Sequence, residues 1–383
     1  MKKIGFLGLT FVSDNKGCMA LAYSFKEIVE RYAGIVEKIY IFSFDKYDLN
    51  KIDSFIKLEL VYVSIKKPIT IYNALKKMKE CEIVFDFTEG DSFSDIYGLK
   101  RFLKISILKE LAIKSATKYI LCPQTYGPYI CMISRKIATH IMKHAHYICS
   151  RDQLSSEAVK QLIDKDIDVY TDIAFGLKKK DIDLESEGKQ IKIGINISAL
   201  LWNGGYNNKN QFKLKVDYRT YIKKLIETLI SLDKYTIHLV PHVYNSSSLG
   251  IENDYAVCQL IQQEYPECIL APCFDLPSEI KGYIAEMDYF VGARMHATIG
   301  AFSSGVVTVP VSYSRKFEGL YGSVNYQYLV NARQEDTQDA VDKTISYIYN
   351  GSKLSKAQSL SMSIVADKLR LFDYKIRQIL YGD

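Results

Sequence analysis

Glycine and proline are scarce in this chain, 21 and 8 among 383 residues, which excludes collagen-like and low-complexity classes. Long apolar runs are missing as well: no window reaches the roughly eighteen residues of a membrane-spanning helix. The eight cysteines (18, 81, 122, 131, 149, 258, 268 and 273) form no CxxC pair. That removes the usual zinc and dithiol motifs and reads as reduced, mostly core thiols of a cytosolic protein. No lysine- or arginine-rich block is interleaved with aromatics, so a nucleic-acid partner is not expected. His140, His144 and His146 have no acidic helper at metal-ligand spacing, so no metal is expected. The start of the chain lacks a small-residue cleavage site, and glycines break its apolar run. Met1 to Val12 is therefore read as a first buried strand.

What is present is a globular composition, with 48% apolar and 25% charged residues and a net charge of +6. The modest positive balance suits anionic substrates or an anionic membrane surface. Strand-length apolar runs are expected at Lys3–Leu9, Lys38–Phe44, Leu58–Ser64, Ile83–Phe87, Tyr119–Pro123, Tyr147–Ser150 and Val169–Asp172. They alternate with amphipathic stretches at Cys18–Ala33, Ile71–Cys81, Tyr97–Ser115, Ser134–His144 and Ser155–Ile163. Such alternation specifies a parallel sheet covered on both faces. The polar stretch Lys178–Gln190 interrupts it and is read as a linker, after which the pattern restarts at Ile191–Ile197. The expected organisation is α/β: a Rossmann-like domain over 1–180, a second over 190–350, and a helical segment over 351–383. Within the last, Lys356–Leu380 has the length to pack back across the first domain.

In doubly wound sheets ligands bind at the carboxyl ends of strands, so the polar residues of those loops are the candidates. Arg294 and His296, in Val291-Gly-Ala-Arg-Met-His296, lie between a strand-like run and a helix start. A fixed cation two residues from a side chain that titrates near neutrality, at such a corner, suits an anion. The alternatives are that Arg294 pairs with a carboxylate and that His296 is structural. Arg151 follows another strand end and is expected to face the same cleft as Arg294, with Asp152 or Ser155 capping the next helix. His242 and Tyr244 end a strand in Val240-Pro-His-Val-Tyr244, and Gln124 opens the turn Gln124-Thr-Tyr-Gly-Pro128. Asn15-Lys-Gly17 offers backbone N–H groups before a helix. The four carboxylates of Asp86 to Asp95 suit helix capping or sugar hydroxyls better than a metal.

Together, Cys149-Ser-Arg-Asp-Gln-Leu-Ser155, Val240-Pro-His-Val-Tyr244, Val291-Gly-Ala-Arg-Met-His296 and Val309-Pro-Val-Ser-Tyr-Ser-Arg-Lys-Phe-Glu-Gly-Leu320 resemble the polysaccharide pyruvyl transferases over about residues 3 to 325. The resemblance implies two Rossmann-like domains in the arrangement called GT-B. It also implies transfer of the pyruvyl group of phosphoenolpyruvate onto two sugar hydroxyls as a cyclic ketal, in bacterial surface-polysaccharide synthesis. It makes His296 and His242 the catalytic candidates, and Arg294, Arg151, Met295, Lys316, Tyr244 and Gln124 the substrate contacts. No cofactor is expected beyond phosphoenolpyruvate as donor. The acceptor is expected to be lipid-linked, which places the protein in the cytoplasm at the inner membrane face. The alternative on the same architecture is a sugar-nucleotide glycosyltransferase. Two departures fall in the first domain, which would face the acceptor: Thr88-Glu-Gly90 replaces a common Gly-Gly pair, and Gly17-Cys18 a Gly-Asp.

Overall fold

A computed structural model of the chain describes residues 1–115, 117–182, 184, 191–244 and 250–382. They divide into two compact units, one of Met1–Ser13, Leu21–Ile173 and Ala366–Asp383, the other of Asp14–Ala20 and Ala174–Val365.

The first unit is built on strands β1 (Lys2–Leu7), β2 (Val36–Ser43), β3 (Lys57–Tyr62), β4 (Ile83–Asp86), β5 (Lys118–Leu121), β6 (Tyr147–Ser150) and β7 (Asp168–Val169). The crossovers carry α1 (Lys16–Glu30), α2 (Pro68–Glu80), α3 (Leu99–Lys114), α4 (Met132–His144) and α5 (Gln153–Ile163). All strands pair in parallel in the order β3-β2-β1-β4-β5-β6-β7. The central strands are apolar on both faces, as a sheet covered on both sides requires; Ile83 to Asp86 are all buried. The strand order reverses between β1 and β4, and there the loops after these strands diverge to leave a crevice.

The second unit repeats the plan without a sequence repeat. Strands β8 (Ile191–Asn196), β9 (Tyr235–Leu239), β10 (Ile269–Leu270), β11 (Tyr289–Gly292), β12 (Val307–Ser312) and β13 (Val330–Asn331) pair in the order β10-β9-β8-β11-β12-β13. Helices α6 (Ala199–Trp202), α7 (Tyr218–Ser231), α8 (Asp254–Glu264), α9 (Pro277–Ala285), α10 (Met295–Ser303), α11 (Arg315–Gly322) and α12 (Thr337–Tyr349) connect them, and α13 (Gly351–Tyr381) ends the chain. Both units thus have the Rossmann strand order expected of an α/β chain.

Three boundaries differ from the sequence reading. The second unit begins at Ala174, because the stretch read as a linker lies on α9. The Lys180 N–H donates to the Ser278 carbonyl at 2.9 Å, and a Cβ at Gly282 would stand only 1.9 Å from the Lys180 carbonyl oxygen. Ile182 and Leu184 add apolar contacts to that unit's core. The rest of the linker reading, residues 183 and 185–190, lies outside the described residues. Asp14–Ala20 also belong to the second unit, because Asn15 bridges Val243 antiparallel. Helix α13 passes from one unit to the other at Ala366. Its first part is tied down by Gln358, whose amide meets backbone groups of Phe302, Val306 and Thr308. Its last part packs Phe372 against Phe25 and Tyr170, as the return to the first domain predicts.

Candidate active site

In the second unit, the loops after β8, β9 and β11 converge at the carboxyl edge of the sheet. Their hub is the buried carboxylate of Asp254, at the start of α8. It accepts backbone N–H groups of Ala199, His242 and Val243 and faces the Arg294 guanidinium at 2.8 Å. Arg294 also donates to the Glu252 side chain at 3.0 Å and to its carbonyl at 3.1 Å. Burial opposes the charge on Arg294, but Asp254 and then Glu252 overcome it and raise the guanidinium above its ordinary pKa. Arg294 is therefore not the free anion-binding cation expected of it. Its planar fork is occupied by two carboxylates, and it holds the site together.

His296 stands in the first turn of α10, two residues after the Arg294 N-cap. The segment Asp14–Gly17 brings the chain's other end to it. The Tyr244 N–H donates to the Asp14 carbonyl, and the Lys16 N–H to the His242 carbonyl. A Cβ on Gly17 would lie 2.5 Å from His296 Nδ1, so only glycine lets the backbone pass this close to the imidazole. The N–H groups of Lys16 and Gly17 are spent within the protein, the latter on the Asn15 side chain at 2.9 Å, which departs from the expected backbone anion cradle. What the segment contributes instead is the Lys16 ammonium. It is buried, donates to the Asp275 carbonyl at 3.1 Å and lies 5.5 Å from the centre of the Tyr244 ring. Burial lowers its pKa against the pull of Asp275 and Asp14.

His242 lines the same small recess as His296, with Lys281, Pro277 and Gly300. Burial first, then His296, Arg294 and Lys16, holds its pKa well below the ordinary value, so His242 is neutral at physiological pH. Lys281 is buried beside it and donates to the Leu177 carbonyl at 2.5 Å. The Tyr244 hydroxyl donates to the Pro241 carbonyl, and burial raises its pKa. Met295 is buried in the first turn of α10. Lys316, in the first turn of α11, lies 5.5 Å from the Tyr313 ring centre. Burial opposes ionisation of Glu252, but Arg294, the Tyr206 hydroxyl and, further down, Lys316 bring its carboxyl below the ordinary range.

The first unit places two other expected substrate contacts in its core. Arg151 is fully buried; its Nη1 meets Asp172 at 2.6 Å and its Nε meets Thr125 at 3.0 Å. The expectation of an arginine facing a cleft does not hold, because a buried carboxylate balances its charge. Gln124 is likewise buried, donating to the Asp86 and Cys122 carbonyls. Asp152 rather than Ser155 caps α5, accepting the Ser155 N–H at 2.7 Å.

The same unit contains a cavity of about 350 Å³. It lies at the switch point, lined by the loops after β1, β2 and β4 and by one face of α3, including Gly8, Phe44, Asp45, Glu89, Arg101 and Lys104. At its floor Lys109 and Asp86, both buried, meet at 2.6 Å, and Thr88 and Tyr119 hydroxyls complete the network at 2.5 Å each from Lys109 Nζ and Asp86 Oδ2. Burial lowers the Lys109 pKa against Asp86. Thr88 and Glu89 have φ of 44° and 54°, in the left-handed region. This is where the resembled family commonly has glycines, and the conformation explains why. Gly8 (φ 62°) lies so close that a Cβ there would be 2.4 Å from the Thr88 nitrogen. Asp95, at the far end of this loop, accepts the Ile130 and Cys131 N–H groups and the Ser134 hydroxyl, which ties the loop to the start of α4. Sequence reasoning missed Lys109, Glu252, Lys281 and the hub role of Asp254. None sits in a recognisable motif, and Asp254 reads simply as a helix start.

Two Rossmann-like units, each with a polar carboxyl edge, define a two-domain α/β class seen in several solved structures. Anabaena HepE in complex with UDP-glucose is similar at 12% identity and TM-score 0.59 over 100% of both chains. A putative UDP-N-acetylglucosamine 2-epimerase from Listeria monocytogenes is similar at 10% identity and TM-score 0.62, over 100% of this chain and 97% of that one. A glycosyltransferase from Rickettsia africae gives 12% identity and TM-score 0.59, over 100% and 98%. At these identities the likeness is one of GT-B fold. By sequence, no curated protein matches significantly. The family model of polysaccharide pyruvyl transferases does match, over residues 15–315, and the chain belongs to that family.

Proposed function

We propose that the protein transfers the pyruvyl group of phosphoenolpyruvate to two hydroxyls of a saccharide, forming a cyclic ketal and releasing inorganic phosphate. The observation that carries this reading is the cluster of Lys16, His242, Arg294 and His296 at one sheet edge of the second unit, inside the span of the family match. Phosphoenolpyruvate brings a phosphate and a carboxylate. Lys16, Lys316 and the N-terminus of α10 are the groups assigned to them, and Arg294 positions the loops that present these groups. Met295 and Tyr244 shape the wall. Cationic side chains neutralise the phosphate in this scheme, so it uses no metal and no cofactor.

The chemistry needs one proton carrier. His296 takes the proton of the attacking sugar hydroxyl and delivers a proton to the donor's methylene carbon, which becomes the methyl group. Positive charge develops on the adjacent carbon, and the sugar oxygen bonds to it. Phosphate then leaves, the second hydroxyl closes the ring at the same carbon, and its proton departs with the phosphate. His242, held neutral by burial, is suited to accepting a hydrogen bond and not to donating a proton. The switch-point cavity of the first unit, with the Phe44 ring, hydroxyls and paired charges on its walls, has the mixed lining that a saccharide needs, and we assign it to the acceptor. A lipid-linked saccharide is the acceptor class we propose.

The test is incubation of the protein and phosphoenolpyruvate with a panel of saccharide diols, reading phosphate release and the ketal methyl signal by proton NMR. Phosphate and ketal should appear together for one class of sugar. Release of nucleoside diphosphate from a sugar nucleotide under the same conditions, with none from phosphoenolpyruvate, would favour the glycosyltransferase alternative.

A further inference from the structure

Ile130, Met132 and Ile133 are 76%, 71% and 53% exposed at the start of α4. Exposed Ile96 and Leu103 belong to the neighbouring loop and helix α3. The two segments are stitched together by Asp95, which accepts the Ile130 and Cys131 N–H groups, and by the Ser94 hydroxyl on the Pro128 carbonyl. Isolated exposed apolar side chains are ordinary, but a group of them on two joined helix starts marks a contact surface.

The charge around the group says which contact. From Ile96 to Arg151 the chain has a single acidic residue, Glu110, while Lys100, Arg101 and Lys104 fall in the first two turns of α3 and Arg135 and Lys136 in the first two of α4. Glu110 faces His140 at 3.4 Å, well beyond the helix start, and Asp95 is consumed by its hydrogen bonds. Glu89 pairs with Arg101. An apolar tip ringed by cations fits the headgroup region of an anionic bilayer, where isoleucine and methionine enter the interface and lysine and arginine meet lipid phosphates. Two copies facing each other through this surface would oppose like charges.

Its place in the fold gives the tip a purpose. α3 and α4 both start at the carboxyl edge of the sheet, and α3 also lines the cavity with Arg101, Lys104 and Lys109. We infer that the α3–α4 tip is the membrane-docking surface of the protein, binding anionic phospholipid so that the nearby cavity meets saccharides carried on lipid. The last clause rests on the acceptor reading above; the docking itself does not.

The experiment is flotation of the full chain with vesicles of phosphatidylcholine alone or with phosphatidylglycerol added, at low and high salt. Wild type should float with the anionic vesicles and release in high salt. Ile130→Ser/Met132→Ser/Ile133→Ser and Arg135→Glu/Lys136→Glu should each lower partitioning about tenfold or more, with melting temperature and any phosphoenolpyruvate-induced shift unchanged. Retained donor shift with lost flotation separates this surface from the active-site reading. Equal binding to neutral vesicles, wild-type flotation by both variants, or no flotation at all would overturn the proposal. So would a wild-type dimer, seen by light scattering, that the variants dissolve.

Discussion

His296 and Gly17 form a pair in which the absence of one side chain sets the position of another. Because a Cβ at residue 17 would stand 2.5 Å from the imidazole, Gly17→Ala should displace His296. Its turnover should fall as far as that of His296→Ala, about 100-fold or more for loss of a proton carrier, while the melting temperature stays near wild type. Phosphate release assays beside thermal melts check both variants, and an active Gly17→Ala would show that the contact is slack. Arg294 should behave differently. Its replacement by alanine strands the buried Asp254 carboxylate, which costs about 3–5 kcal/mol and should appear as a large loss of stability by chemical denaturation. The buried histidines make stability pH-dependent. Burial, aided by Lys192, lowers His238 to about 4 from 6.5, and burial lowers His242 further. Below pH 6.5 the unfolded chain binds protons that the folded chain refuses. Stability is thus full above pH 6.5 and falls as pH drops towards 4. His238→Gln should flatten part of that slope in a melting-temperature series.

At the scale of elements, the loop after β4 stores left-handed backbone at two residues that have side chains. Thr88 gains in return: its N–H and hydroxyl bond Asp86, and Lys109 reaches its hydroxyl. Gly8 supports this loop from β1, so Gly8→Ala should destabilise the first unit by about 2 kcal/mol or more, measured by denaturant unfolding. Elements of this kind divide what the sequence discloses from what it does not. Buried parallel strands are continuous apolar runs, and so Tyr147–Ser150 is legible to the residue. Short elements such as α6 and β13 lack enough residues to show a period. The candidate site was legible in part. His296 and His242 lie at strand ends and meet in the fold. The partners of Arg294 come from a loop about forty residues earlier, and long-range pairing of that kind leaves no local pattern. The linker reading failed for Lys180 because a polar segment can lie on a helix through its backbone, against a glycine.

For the whole molecule, the His296 cluster lies in one Rossmann-like unit, and the cavity proposed for the acceptor and the proposed docking tip lie in the other. Among the described residues no helix is long and apolar enough to cross a membrane. The fold likeness to enzymes crystallised with UDP or UDP-sugars does not choose a donor, and the donor is the central claim. A ligand that binds only the folded state raises the melting temperature with its concentration, whatever the acceptor. The measurement that decides is therefore a thermal-shift titration of wild type and Lys16→Met with phosphoenolpyruvate and, separately, UDP-glucose. The account predicts a rise with phosphoenolpyruvate alone, lost or much weakened in the variant. A rise with UDP-glucose and none with phosphoenolpyruvate would contradict it.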